Sequence, residues 1–167
     1  MTTISEQIAL ILNDVRTKEE RDVLREQISE LEAVSYRANA HAVEERLISY
    51  IPTHLAQIIK QIIESPELKD NPEVMKIFFK DLEHALGALP LLRISMAFKP
   101  TEAMITRLHE WTKKNLTSAI ILDMSYDGSI FGGARIIFEG KYKEITLGQM
   151  ITNVLEREKG VIIKMIK

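Results

Sequence analysis

The hydrophobic period changes once along this chain, and that change restricts what it can fold into. Upstream of residue 88, apolar residues recur every three to four positions, the spacing that puts them on one face of a helix. At "LPLLRISMAFKP" they alternate instead: Leu92, Ile94, Met96 and Phe98 interleave with Leu91, Arg93, Ser95 and Ala97, between Pro90 and Pro100. A period of two bounded by prolines predicts a strand. Period and composition switch together, so the sequence predicts two parts of class α + α/β. A helical bundle over residues 1–88 precedes a small C-terminal α/β domain with a short mixed sheet over residues 89–167.

Within the first part, Ile4, Ile8, Ile11, Leu12 and Val15 form one stripe, and Leu24, Ile28 and Leu31 a sparser one. The intervening "RTKEERD" is too charged to be core. From Glu20 to Tyr50 there is neither proline nor glycine, so this stretch runs as one long helix or breaks near Ser35–Asn39. Its alanines 38, 40 and 42 allow close helix approach. Pro52 can open the next helix, where a missing N–H costs nothing, with Leu55, Ile58, Ile59, Ile62 and Ile63 on its apolar face. Pro66 and Pro72 mark a turn. Val74, Ile77, Phe78, Leu82 and Leu86 then predict a helix ending near Gly87.

In the second part, Thr101 can cap a helix whose stripe is Met104, Ile105, Leu108 and Trp111, which places the only tryptophan in the core. "SAIILDMS" and "GARIIFEG" read as strands. The short "YDGSIF" between them favours an antiparallel hairpin over a helical crossover. "KYKEI" predicts a short returning strand beyond Gly140. Thr146, Leu147, Met150, Ile151, Val154 and Leu155 predict a last helix stopped by Gly160, and the tail "VIIKMIK" an edge strand.

Several function classes lack their residues. Among 167 residues, 22 basic side chains nearly cancel 24 acidic ones, so the formal charge of -2 gives no global field for nucleic acid. There is no cysteine, hence no disulfide, thiolate zinc ligand or thiol nucleophile. The first residues lack the pattern of an export signal, and no run reaches the roughly 18 apolar residues of a membrane span. A soluble protein without direct membrane insertion is expected. A phosphate-binding loop leads from a strand into a helix, whereas Gly132 and Gly133 lead into a strand. GxSxG and HExxH are absent, and the four histidines, His41, His54, His84 and His109, read as partly exposed helix residues. Asp123 and Asp127 could pair as carboxylates, or join Ser125 and Ser129 around a hard cation. The simpler role for Asp127 is to accept N–H bonds from its own turn. No catalytic residue, cofactor site or metal site is expected.

The C-terminal half resembles a known family. "DGSIFGGARIIF" followed by "KEITLGQMI" is similar to the signature of the delta subunit of bacterial F-type ATP synthases, the oligomycin-sensitivity-conferring protein of mitochondria. That family carries Asp-Pro-Ser-Leu-Ile-Gly-Gly before a strand, then, a hairpin later, Asp-x-Ser before the last helix. Asp127, Ser129, Ile130, Phe131, Gly132 and Gly133 match the first element, with Gly128 where proline is usual. Glu144 and Thr146 stand for the acid and serine of the second, and Leu147 and Ile151 hold the apolar positions after it. The resemblance covers about residues 89–157. The helical half is shorter than the family's six-helix N-terminal domain.

The resemblance implies a non-catalytic peripheral-stalk subunit on the cytoplasmic face of the cell membrane, with no active site or cofactor of its own. Its helical part would bind the N-terminal helix of an alpha subunit of the catalytic head, and its C-terminal part the C-terminal ends of the b subunits. Together they would stop the head turning with the rotor and so couple ion transport to ATP synthesis. The signature would be structural: Asp127 and Ser129 fix the turn, Gly132 and Gly133 allow close packing, and Ile130, Glu144 and Thr146 complete the motif. Expected partner contacts are Ile8, Ile11, Leu55, Ile59 and Ile62 on the bundle, and Met150 and Val154 with the tail on the stalk side. The alternatives are a generic helical adaptor and a small enzyme using Asp123, Asp127 or Glu144.

Overall fold

The computed structural model describes residues 3–35, 51–69, 71–116 and 119–166. Helix α1 (Ile4–Asp14) begins with a capping box. Thr3 Oγ1 accepts from the Glu6 N–H while the Glu6 carboxylate accepts from the Thr3 N–H, so two orphan donors are satisfied reciprocally. Helix α2 (Lys18–Ser35) follows after three residues, then α3 (Thr53–Ile63), the short α4 (Pro66–Lys69) within the expected turn, and α5 (Pro72–Gly87), capped by Asn71. The break considered near Ser35–Asn39, alanines 38, 40 and 42, and His41 fall almost wholly outside the described residues.

The apolar stripes of these helices meet in one core. Ile8, Ile11 and Val15 pack with Leu24 and Ile28, with Leu55, Ile59, Ile62 and Ile63, and with Phe78, Phe79, Leu82 and Leu86. Burying each such side chain stabilises the fold by about 1.5–3 kcal/mol before ordering costs. The charged segment is less solvated than its composition predicts. Thr17 and Glu20 are buried, and Glu20 takes hydrogen bonds from the Arg16 side chain and backbone N–H.

Four strands form a mixed sheet in the order β2-β1-β3-β4: β1 (Leu91–Met96), β2 (Ile121–Tyr126), β3 (Gly133–Phe138) and β4 (Lys141–Thr146). Helix α6 (Glu102–Asn115), capped by Thr101, crosses from β1 to β2, which are parallel, as such a connection requires. β3 is antiparallel to β1, and β4 to β3. The predicted hairpin of β2 with β3 does not form, because β1 lies between them. "DGSIFG" crosses the end of β1 instead, tied to it by Asp127 N–H to Met96 O (2.8 Å) and Ala97 N–H to Gly133 O (3.2 Å). Two strand spacings amount to roughly 10 Å, within reach of six residues. The tight turn is the next one: Glu139 and Gly140 both have positive φ, as a two-residue hairpin loop demands.

Alternation sorts the sheet into two faces. Leu92, Ile94, Met96 and Leu122 pack with Met104, Ile105 and Leu108 of α6. On the other face, Leu91 and Ile121 join the helical core, followed outward by the cross-strand pairs Arg93–Asp123 and Ser95–Ser125. The helical core therefore continues past residue 88, through Leu89 and Ile121.

Two readings of α6 and the C-terminal segment need correction. Trp111 is 54% exposed, while His109 and Thr112 face inward. Met104, Ile105 and Leu108 of the expected stripe do meet the sheet, and the buried face of α6 is completed by His109 and Thr112 in place of Trp111. The last described element is α7 (Leu147–Ile166), which continues through Gly160 and includes most of the tail expected as a strand. One glycine costs a helix only about 1 kcal/mol relative to alanine, too little by itself to end it.

Candidate functional site

The two motif elements, separated in sequence by β3 and the hairpin turn, come together around one arginine. In the first, Asp127 Oδ1 accepts from the Ser129 N–H (2.9 Å) and hydroxyl (2.6 Å), closing an Asx-type turn. Ile130 is buried beneath it, while Phe131 projects with 71% exposure. In the second, Glu144 Oε1 accepts from the Thr146 hydroxyl (2.9 Å) and Oε2 from the Tyr142 hydroxyl (2.6 Å). Thr146 Oγ1 in turn accepts from the Gln149 N–H (3.2 Å), in the first turn of α7. Arg135 on β3 links the elements, with Nη1 3.1 Å from Asp127 Oδ2 and Nε 3.7 Å from Glu144 Oε2.

The glycine pair fits the strand against the start of α7. A Cβ on Gly133 would lie 2.0 Å from the Ile145 carbonyl oxygen, and its φ of +94° belongs to glycine in any case. The neighbouring Gly132 carbonyl accepts from the Leu147 N–H at 3.0 Å. Loop, β4 and α7 thus share one set of hydrogen bonds.

These bonds favour the charged carboxylates. The hydrogen bonds from Ser129, with Arg135 beside it, hold the Asp127 carboxyl below its usual range. Those from Tyr142 and Thr146, again with Arg135, do the same for Glu144. A general acid needs the opposite shift, toward a proton retained near neutral pH. Asp123 pairs with Arg93 at 3.7 Å. Among the described residues no group of three metal-ligating side chains converges.

The expected partner contacts divide. Ile8, Ile11, Leu55, Ile59 and Ile62 are all buried in the helical core, so the predicted docking wall is corrected: these side chains hold the helices together and present no outer face. An isoleucine-rich stripe looks the same whether it meets a sister helix or a partner. Met150 and Val154 are both about half exposed on α7, with Leu147, Ile151 and Leu155. Spacings of three and four put these five on one stripe.

Two features carry no clear signal in the sequence. A lone Arg135 names no partner, although its register opposite Glu144 follows once β3 and β4 are paired. The other is a groove of about 660 Å³ at the seam between the helices and the α/β part, lined by Leu10, Asp14 and Ile58 on one side and by Lys113, Leu116 and Ala119 on the other. Lone residues so distant in sequence carry no spacing signal. Among the described residues no helix is long and apolar enough to cross a membrane. No family model matches the chain. None of the curated proteins matches it either.

Proposed function

We propose that this chain is a non-catalytic peripheral-stalk subunit of an F-type ATP synthase, joining the catalytic head to the b-subunit stator at the cytoplasmic face of the membrane. The carrying observation is the Arg135 cluster. The residues that match the family signature, Asp127, Ser129, Gly132, Gly133, Glu144 and Thr146, form one hydrogen-bonded unit at the root of α7. The β3–β4 pairing sets Arg135 opposite Glu144, and Asp127 is joined to the same guanidinium from the preceding loop, which supports reading the two elements as one structural motif.

Such a role requires lasting grip under torque rather than turnover, and apolar helix contacts provide it. The stripe of α7 is the stalk-side surface in this scheme. With the isoleucines committed to the core, the head-side surface moves to the outer faces of α1 and α3, where Leu10 and Ile58 border the seam groove.

The test is isothermal titration of the full chain with a peptide from the N-terminus of the alpha subunit encoded by the same genome, and separately with a peptide from the C-terminal end of the b chain. One-to-one binding with a negative heat-capacity change is expected for both. A folded chain that binds neither overturns the proposal.

A further inference from the structure

The connection between α1 and α2 does more than reverse the chain. The Leu122 N–H donates to the Arg16 carbonyl at 2.9 Å, and Thr17 forms a parallel bridge with Leu122, so the linker lies against the outer edge of β2. The Arg16 side chain reaches across the same seam. Its Nε donates to Glu20 Oε1 (3.0 Å) on α2, and Nη1 to Glu102 Oε2 (3.2 Å) and Thr106 Oγ1 (3.3 Å) on α6. Glu20 Oε2 also accepts from the Arg16 backbone N–H at 2.8 Å, which fixes the linker itself. Beneath this contact Leu91, Ala119 and Ile121 pack into the helical core.

From this geometry we infer that the α1–α2 linker is a clasp, centred on Arg16, that locks the helical part to the sheet so that the two move as one rigid unit. It is a stiff joint in place of a tether. The clasp, with the core packing beneath it, makes the seam groove a single composite surface, with Leu10 and Ile58 on one wall and Leu116 and Ala119 on the other. This joint does not depend on the stalk assignment.

Amide exchange reads the clasp directly. Leu122 donates out of the sheet to Arg16, whereas Ile94 lies on the central strand β1. In the full chain the Leu122 amide should exchange within about tenfold of Ile94, as two members of one cooperative unit do. Exchange at Leu122 more than about a thousandfold faster would mean that the seam opens by itself, and the clasp would be refuted. Arg16→Ala should speed Leu122 exchange by about tenfold or more while leaving Ile94 within about twofold. No change at Leu122 would remove Arg16 from its role. Should the variant fail to fold, the wild-type comparison decides alone.

Discussion

Gly133 is the residue at which the motif turns into a steric requirement. Its missing side chain leaves room for the Ile145 carbonyl, and its backbone occupies a region that L-residues avoid. Gly133→Ala therefore combines backbone strain with a clash against main chain, and should destabilise the protein by about 2–4 kcal/mol. Urea unfolding followed by far-UV circular dichroism checks this; a loss below about 0.5 kcal/mol would mean that the strand and helix readily move apart. The need for glycine here is legible in sequence as a demand for close packing. The atom it approaches is not, since that belongs to the neighbouring strand. Arg135 shows the same limit, for a lone arginine on a strand has no visible partner until the next strand is in register.

Among the elements, strand alternation and helix caps are readable because they are local. Thr3, Asn71 and Thr101 all cap the helices that follow them. The structure departs from expectation where a choice between neighbours is needed. A six-residue connection is compatible with a hairpin or with stepping over β1, and only the competition of β1 for both strands selects the second. Which residues flank the packed stripe of α6 likewise depends on its neighbours, and they leave Trp111 outward and His109 inward. Helix α7 and helix α3 carry comparable stripes with opposite fates. Val154→Asp lies on an exposed face and should change stability by less than about 0.5 kcal/mol; under the proposed stalk role it should also abolish binding of the b-subunit end in titration. Ile59 is 2% exposed, so Ile59→Asp should cost more than about 4 kcal/mol and unfold the helical part in the same urea assay. A strongly destabilised Val154→Asp would mean that α7 has an intramolecular partner in solution.

For the whole molecule, the seam contributes to the response to mild acid. Burial keeps the His109 imidazole below its ordinary 6.5, reinforced by Lys113 and Arg16 and opposed by Asp14 and Glu20. The unfolded chain then takes up this proton first. Stability from this group is fully present above about pH 6.5 and falls as the pH drops below it, by at most about 1.4 kcal/mol per unit, until the folded pKa is passed. Urea midpoints measured from pH 7.5 to 5.5 should decline more steeply in the wild type than in His109→Gln. Parallel profiles would show that His109 takes its proton equally well in the folded chain. Nothing in the sequence marks this histidine for burial, because the cover over it comes from α1, the linker and α6 together.

The two kinds of structure and their order, the caps, the alternating strands and the motif at the turn are all written in the order of residues. Each depends on side chains within one or two turns or strands of each other, where spacing alone fixes which of them share a face. The place of β1 between β2 and β3, the burial of the isoleucine stripe, the exposure of α7, the meeting of Asp127 and Glu144 on Arg135, and the closure of Arg16 across the seam were settled only by the assembled fold. The physical reason is common to all five. An apolar face or a charge states that it requires a partner, and the partner is chosen by the global arrangement that buries and pairs the most at once.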